Sequence, residues 1–153
     1  MTYSAIILAA AKAAKVSGAL LLAICTQETG LNNVTVQRDG GSPSYGICQV
    51  KYDTAHMFGF KGRPEDLSNS FTNAKYAAKY LKYQETRPDD PNGGYGDNWC
   101  KLAAAYNAGR FNPNKYKKNL PRNLKYVRLV QKLIDENLKD RLSCDEESEM
   151  VQR

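Results

Sequence analysis

The alternation of apolar and polar residues predicts a chain built mainly of helices. Apolar residues recur at helical spacing through residues 3–15, and a nearly continuous apolar run extends from Gly18 to Thr29. Ser17 is a suitable N-cap for the second helix, and Gly30 is a suitable residue to end it. Because so few polar residues interrupt this run, we expect the second helix to be buried.

Farther along the chain the pattern predicts one irregular region and four more helices. Residues 32–50 combine glycines and asparagines with the β-branched run Val34 to Val36, which indicates loop and short extended structure. The predicted helices are 51–59, 66–86 with an apolar stripe that includes Leu67 and Phe71, 98–107 capped by Asp97, and 123–142. The predicted fold is therefore mainly α, with a small β or loop element around 32–50.

Length and charge set broad limits on the protein. With 153 residues, the chain is predicted to form a single domain over 1–144, followed by a polar tail at 145–153. The formal net charge of +6 suggests an anionic partner such as nucleic acid, a membrane surface or an acidic wall polymer, although solubility alone also explains it. Six of the basic residues cluster near 115–128: Lys115, Lys117, Lys118, Arg122, Lys125 and Arg128.

The cysteines give no sign of a metal site. The spacing of Cys25, Cys48, Cys100 and Cys144 matches no zinc pattern, and His56 is the single histidine. We predict neither a metal nor a cofactor. Cys25 and Cys48 lie inside apolar runs and are interpreted as small core residues. Four cysteines can pair in three ways, and the sequence does not choose among them.

One acidic residue, Glu28, ends the apolar run of the second helix. Partial burial there would raise the pKa of the carboxyl group, because burial penalises its charged form. A glutamate in that position is suited to donate a proton near neutral pH. The alternative is that Glu28 is an ordinary surface residue at a helix end.

Three later motifs place hydrogen-bonding side chains at the ends of apolar segments. They are PSYGICQV at 43–50 with Gly46 and Gln49, LAAAYNAG at 102–109 with Tyr106 and Asn107, and RNLKYV at 122–127 with Tyr126. Each has an ordinary explanation taken alone. Gln49 would be a surface amide, Asn107 a helix terminator, and Tyr126 a core residue with its hydroxyl at the rim.

In this order and spacing, the motifs resemble the catalytic domain of soluble lytic transglycosylases, a branch of the lysozyme-like superfamily. The resemblance extends over roughly residues 18–132. The family pattern of Glu-Ser, Gly-x-x-Gln, Ala-Tyr-Asn-Ala-Gly and Tyr-Val corresponds here to Glu28-Thr29, Gly46 to Gln49, Ala105 to Gly109 and Tyr126-Val127. The chain departs from the pattern at four positions. Thr29 replaces the family's serine, Asn33 replaces the proline of an Asn-Pro pair, and Cys48 stands where methionine is common. Arg122 occupies a position where the family often has a glutamate.

The resemblance implies cleavage of the β-1,4 bond between N-acetylmuramic acid and N-acetylglucosamine in peptidoglycan. It implies Glu28 as the single catalytic acid and base and a 1,6-anhydromuramyl product. The implied sugar-binding residues are Gln49, Tyr106 and Asn107, with Tyr126 orienting Glu28 and Ser44 (alternatively Ser42) as the binding serine. Aromatic side chains that could stack on sugar rings are Tyr45, Tyr52, Tyr95, Trp99 and Tyr116, although core packing is the favoured role for Trp99.

Three other functions are compatible with the sequence. A lysozyme-type hydrolase would use water and a second acid, for which Asp39 and Asp97 are the candidates. A non-catalytic module would retain the fold and bind the wall without cleaving it. A nucleic-acid binder is a weaker third alternative, suggested by the basic residues near 115–128. We expect a monomer that acts on peptidoglycan strands, without nucleic acid and without insertion into a membrane.

No export signal is visible in the sequence. Lys12, Lys15, Ser17 and Gly18 interrupt the apolar residues near the N-terminus, so we expect these residues to be neither a signal peptide nor a membrane anchor. An enzyme of the periplasmic wall would then need another route of delivery. We expect a bacteriophage setting, as an endolysin or a virion component, with a dedicated bacterial secretion system as the alternative.

Overall fold

The computed structural model describes residues 1–91 and 93–134, and it is mainly helical as predicted. These residues form six α-helices, one short 3-10 helix and a three-stranded sheet. The chain divides into two compact units, Met1–Lys82 and Tyr83–Arg153. The single domain over 1–144 stays a prediction, and the tail at 145–153 lies outside the described residues. No helix in the described part is long and apolar enough to cross a membrane.

The first two helices lie where the sequence predicts, and α1 ends one residue before the predicted Lys15. Helix α1 is Tyr3–Ala14 and helix α2 is Gly18–Thr29. The Ser17 hydroxyl accepts a hydrogen bond from the Leu20 N–H over 3.1 Å, and Gly30 ends α2 in the left-handed conformation with φ 64°. The prediction of a buried second helix is confirmed by its fully buried residues, Leu20, Leu21, Ala23, Ile24 and Cys25.

A small antiparallel sheet occupies the region predicted as loop and extended structure. Strands β1 (Thr35–Asp39), β2 (Ser42–Tyr45) and β3 (Val50–Lys51) lie in the order β1-β2-β3. Gly40 and Gly41 form the turn between β1 and β2, both with positive φ (65° and 99°). A two-residue hairpin turn of this kind favours glycine because other residues are strained there. Helix α3, Tyr52–Met57, follows the sheet.

The predicted helix 66–86 begins later than expected. A 3-10 helix, Pro64–Ser68, comes first, and helix α4 is Ser70–Thr86. Asn69 separates the 3-10 helix from α4 because its backbone is extended (φ −67°, ψ 125°). Its side-chain oxygen accepts a hydrogen bond from the Thr72 N–H. Asparagine is a good N-cap, so it starts a new helix here instead of continuing the old one.

The composition of the apolar stripe on α4 also differs from the prediction. Phe71, predicted as part of the stripe, is 58% exposed. The other predicted stripe residues are buried: Leu67, Ala74, Ala77, Ala78 and Leu81. Asn73 and Gln84 are buried as well, spaced three or four residues from Ala77 and Leu81. Two amide side chains therefore occupy positions that normally hold apolar residues.

The second unit contains helices α5 (Trp99–Ala108) and α6 (Leu124–Lys132). The prediction that Asp97 caps α5 is wrong, because the cap is Asn98, whose side-chain oxygen accepts from the Lys101 N–H over 3.0 Å. Trp99 is buried in the core, as favoured. The last helix ends at Lys132 and not at residue 142, and residues 135–142 lie outside the described part of the chain.

Candidate active site

The residues singled out by the sequence lie in both units. Glu28, Ser44, Tyr45 and Gln49 belong to Met1–Lys82. Tyr106, Asn107 and Tyr126 belong to Tyr83–Arg153. Within residues 1–91 and 93–134, no group of three or more histidine, cysteine, aspartate or glutamate side chains is placed to hold a metal ion.

Glu28 lies in the last turn of α2 and is half-buried. The next residue, Thr29, fixes this helix end to the loop of residues 46–49. Its hydroxyl donates to the carbonyl oxygen of Ile47 over 2.8 Å and lies 3.3 Å from that of Cys25. Thr29 retains the hydroxyl of the serine that it replaces, and here the hydroxyl joins the segment of Glu28 to the segment of Gln49.

A disulfide between Cys25 and Cys48 makes a second connection between the same two segments. Cys25 lies one turn before Glu28 on α2, and Cys48 directly precedes Gln49. Both are fully buried, as expected of core residues, but the interpretation as simple core cysteines is incomplete because they are bonded to each other. The pairing joins residues that are 23 positions apart and therefore depends on the tertiary fold.

Replacing both Cys25 and Cys48 by alanine is expected to lower the free energy of unfolding by about 3 kcal/mol, because the unfolded chain regains the entropy of an open loop of this length. Urea unfolding of the oxidised proteins measures the difference. Under reducing conditions the difference between the double variant and the native protein should largely vanish. A difference below about 1 kcal/mol under oxidising conditions would show that this bond contributes little.

Gln49 has a strained backbone and a fixed side chain. Its φ of 53° lies in the left-handed region, which is uncommon for a residue with a side chain. Its Nε2 donates to the carbonyl oxygens of Val34 (3.0 Å) and Gly46 (2.9 Å). Because both neighbours are acceptors, the amide cannot be turned the other way round. Gln49 can therefore offer Oε1 to a ligand, as an acceptor for an N–H or O–H group.

Asn73 was not singled out in the sequence. It is fully buried on α4 and is hydrogen-bonded to the segment that precedes Gln49. Its Nδ2 donates to the carbonyl oxygens of Tyr45 and Leu67, both over 2.7 Å. Its Oδ1 accepts from the Cys48 N–H over 2.9 Å. One amide side chain thus makes hydrogen bonds to three backbone groups, in the way that buried polar groups are usually satisfied.

The loop passes so close to Asn73 that residue 46 has to be glycine. A Cβ atom on Gly46 would lie 2.3 Å from the Asn73 Nδ2, and the φ of Gly46 is 79°. Both the close approach and the positive φ exclude ordinary side chains. The signal in the sequence was an asparagine in line with Ala77 and Leu81, at a stripe position where an amide needs buried partners.

Ser44 is almost wholly buried, with 1% of its surface exposed. Its hydroxyl donates to the Asp39 carboxylate over 2.6 Å, and Asp39 itself is exposed. The group presented to solvent here is therefore the carboxylate and not the hydroxyl. The role of Ser44 in sugar binding stays a prediction, as does that of the half-buried Tyr45.

In the second unit, two buried side chains hold the end of α5. The carbonyl oxygen of Gly109 accepts from the Gln84 Nε2 over 2.9 Å and from the Arg87 Nη1 over 2.8 Å. Arg87 also donates to the Gln84 side-chain oxygen over 3.0 Å. Neither residue was singled out in the sequence, although Gln84 continues the buried stripe of α4. Together they fix the C-terminal end of the Ala105 to Gly109 motif.

A hydrogen bond between Tyr83 and Asp89 connects the end of α4 to the loop that follows it. A hydrogen bond from the Tyr83 hydroxyl lowers the pKa of the Asp89 carboxyl, and the nearby Arg87 guanidinium lowers it further. Burial and the same hydrogen bond raise the pKa of Tyr83. The Arg87 Nη2 lies 3.3 Å from the Asp89 carboxylate, so the buried guanidinium has an acidic partner.

Asn107 is exposed at the end of α5 and is oriented by Asn123. The Asn123 Nδ2 donates to the Asn107 Oδ1 over 2.9 Å and to the carbonyl oxygen of Ala104 over 3.0 Å. The Asn107 oxygen is thereby engaged, and its Nδ2 remains as a donor for a ligand. Tyr106 is buried and Tyr126 is half-buried.

The predicted aromatic platforms differ in exposure. Trp99 is buried, and the Tyr95 hydroxyl accepts from the Phe111 N–H over 2.9 Å. Tyr52 is stacked on His56 with ring centroids 5.7 Å apart. Tyr116 is 85% exposed and is the platform most open to a partner among these described residues.

In the first unit, a half-buried glutamate thus lies in the last turn of a buried helix, and Thr29 and Cys25 bond this helix end to the loop that precedes Gln49. A family model described as "Transglycosylase SLT domain" matches residues 5–128, and the chain belongs to this family. The mainly α, lysozyme-like fold predicted from the sequence is thereby confirmed. No curated protein matches the chain. Membership supports peptidoglycan cleavage of the lytic transglycosylase type as the activity of the family.

Proposed function

We propose that this protein is a lytic transglycosylase that cleaves the bond between N-acetylmuramic acid and N-acetylglucosamine, with Glu28 as its only catalytic group. The observation that carries the proposal is the attachment of the Glu28 helix end to the Gln49 loop. A disulfide and a hydrogen bond from Thr29 join the two segments, within a chain that matches the family from residue 5 to 128.

In the first step, the protonated carboxyl group of Glu28 donates its proton to the glycosidic oxygen, and the bond from that oxygen to C1 breaks. The departing N-acetylglucosamine keeps the proton. The carbonyl oxygen of the muramyl 2-acetamido group stabilises the positive charge that develops at C1. A second carboxylate is not needed for this, because the substrate supplies the stabilising group itself.

In the second step, the Glu28 carboxylate accepts the proton of the C6 hydroxyl on the same muramyl residue. O6 then forms a bond to C1, and a 1,6-anhydro ring closes. Glu28 is protonated again, as it was at the start. Since no water is consumed, the masses of the two products add up to the mass of the substrate.

The other candidate residues would bind sugar units of the glycan strand. Gln49 would accept a hydrogen bond from an N–H or O–H group, because its own amide protons are used within the loop. Asn107 would donate from Nδ2, because its oxygen is bonded to Asn123. Tyr106 carries over from the family as a further sugar contact, and Tyr126 keeps the role that the resemblance implies. Side chains held in place in this way reduce the entropy lost on reaching the reactive geometry.

Mass spectrometry of the muropeptides released from purified peptidoglycan tests the proposed reaction. The expected products end in anhydromuramic acid, without the mass of an added water molecule. Products with a reducing muramic acid end would contradict the transglycosylase mechanism. An absence of products from walls of several bacteria would favour a wall-binding module.

A hydrolase is the second candidate because of one feature, the exposed Asp39 carboxylate. It lies at the end of β1, and the buried Ser44 hydroxyl holds it over 2.6 Å. A positioned carboxylate in the same unit as Glu28 could activate water as a second acid would. Reducing-end products that disappear in an Asp39→Asn variant would support this candidate over the first.

A further inference from the structure

The connection between α5 and α6 forms a hairpin, which we call the finger and define as residues 112–122. Two backbone hydrogen bonds close its base: Arg122 N–H to Asn112 O (2.8 Å) and Asn114 N–H to Leu120 O (2.7 Å). The Asn114 side-chain oxygen accepts from the N–H groups of Tyr116 and Lys117 and shapes the tip. Leu120 and Pro121 are buried and anchor the finger in its unit.

The finger is strongly cationic and lies in a segment without acidic residues. From residue 98 to residue 134 the chain has nine lysines and arginines and no aspartate or glutamate. Four of the nine belong to the finger: Lys115, Lys117, Lys118 and Arg122, all exposed. A concentration of one charge sign on a fixed surface attracts an anionic partner and gives it a preferred orientation.

The tip also carries an aromatic ring. Tyr116 is 85% exposed, and the Lys115 Nζ lies 5.6 Å from the centre of its ring. An exposed tyrosine beside lysines provides an apolar face and several charged donors within one small area. Such a surface suits a ligand in which carboxylates alternate with aliphatic groups, as in a peptide.

The position of the finger relates it to the sugar-binding residues of the same unit. It begins four residues after Ala108, where α5 ends, and it ends at Arg122, next to Asn123. Asn123 is the residue that orients Asn107. A glycan strand bound at Asn107 would therefore bring its substituents close to the base of the finger.

We propose that the finger binds the carboxylates of the peptide stems attached to the muramic acid residues of peptidoglycan. The preferred substrates are then strands that carry stems, and this proposal rests on the proposed function. The stems arrive covalently attached to the strand, so their effective concentration at the finger is high even when each charge contact is weak. Nucleic acid, which is not attached to the strand, does not gain this advantage.

The test compares soluble peptidoglycan strands with the same strands after an amidase has removed the stems. The native protein is expected to cleave stem-bearing strands with a kcat/KM about tenfold higher at low salt. A K115Q/K117Q/K118Q variant should lose most of this preference and stay within about twofold of the native rate on stripped strands. Raising the salt from about 50 mM to about 500 mM should reduce the preference of the native protein and leave the variant nearly unaffected.

A matched control removes three exposed lysines of the first unit, as K12Q/K15Q/K61Q, and should retain the preference for stems. Cleavage of stripped strands by the native protein tests the catalytic function independently of the finger. Equal kcat/KM on stem-bearing and stripped strands would overturn the finger proposal and leave the proposed catalytic function intact. Isothermal titration calorimetry of the Glu28→Gln variant with both soluble strand types reports the stem preference even if cleavage is absent, and equal affinity there would overturn the finger proposal as well. The affinity of the native protein and of the K115Q/K117Q/K118Q variant for DNA is measured in parallel. A variant that loses affinity for DNA and retains the stem preference would also overturn the finger proposal.

Discussion

Replacing Glu28 by glutamine is expected to lower the rate of strand cleavage by at least about a thousandfold. A positioned general acid contributes 10²–10⁴-fold, and Glu28 is proposed to serve as acid in one step and as base in the next. Glutamine has nearly the same shape, so the half-buried position at the end of α2 should accept it without loss of fold. The release of anhydromuropeptides over time measures the effect.

Two further variants show whether the lower cleavage rate of Glu28→Gln results from the missing carboxyl group. Glu65→Gln makes the same chemical change in the same unit, at an exposed residue 3.8 Å from Arg63, and should leave the rate unchanged. Glu28→Asp retains an acid but withdraws it by one methylene, and should keep a small part of the activity. Substantial cleavage by Glu28→Gln would mean that another group supplies the proton, and Asp39 would then be the first to test.

Much of the fold follows from signals that are local in the sequence. Ser17 and Gly30 begin and end α2 because a hydroxyl before a helix and a glycine after it satisfy backbone groups wherever they occur. The position of Glu28 at the end of a buried helix follows from the same two signals. Family motifs add the remaining candidate residues, since they depend on order and spacing and not on knowledge of the fold.

The errors arise where two local signals compete. Asp97 and Asn98 are adjacent and both are good N-caps, and the structure uses Asn98. The helical period of α4 extends back to residue 66, but Asn69 caps a new helix at Ser70 and separates the two parts. Phe71 lies in the first turn of the new helix and is exposed, whereas the later stripe residues Ala74, Ala78 and Leu81 are buried.

The residues that hold the candidate site in place could not be predicted because their partners are distant in sequence. Cys25 and Cys48 find each other only in the folded chain. Asn73 and Gln84 both lie on the buried stripe of α4 and bind backbone groups of segments that carry site residues. Their polarity at stripe positions was visible in the sequence, but the identity of the bonded backbone groups was not.

Replacing Asn73 by alanine is expected to lower the free energy of unfolding by about 4 kcal/mol, an exceptional value for one substitution. The change leaves the Tyr45 and Leu67 carbonyl oxygens and the Cys48 N–H buried without their present partner. Each unsatisfied buried group costs about 1–3 kcal/mol. Urea unfolding measures the loss. Asn33→Ala, which removes one exposed hydrogen bond to the Ser68 carbonyl oxygen, should lose no more than about 1 kcal/mol.

An aspartate at position 73 separates the contributions of these hydrogen bonds. Its carboxylate can still accept from the Cys48 N–H, but it faces the carbonyl oxygens of Tyr45 and Leu67 as another acceptor. Asn73→Asp should therefore be at least as unstable as Asn73→Ala. At temperatures where both variants remain folded, KM should rise more than kcat falls, because the loop that carries Gln49 is less well held while Glu28 is unchanged. A variant as stable as the native protein would show that the disulfide and Thr29 suffice to hold the loop.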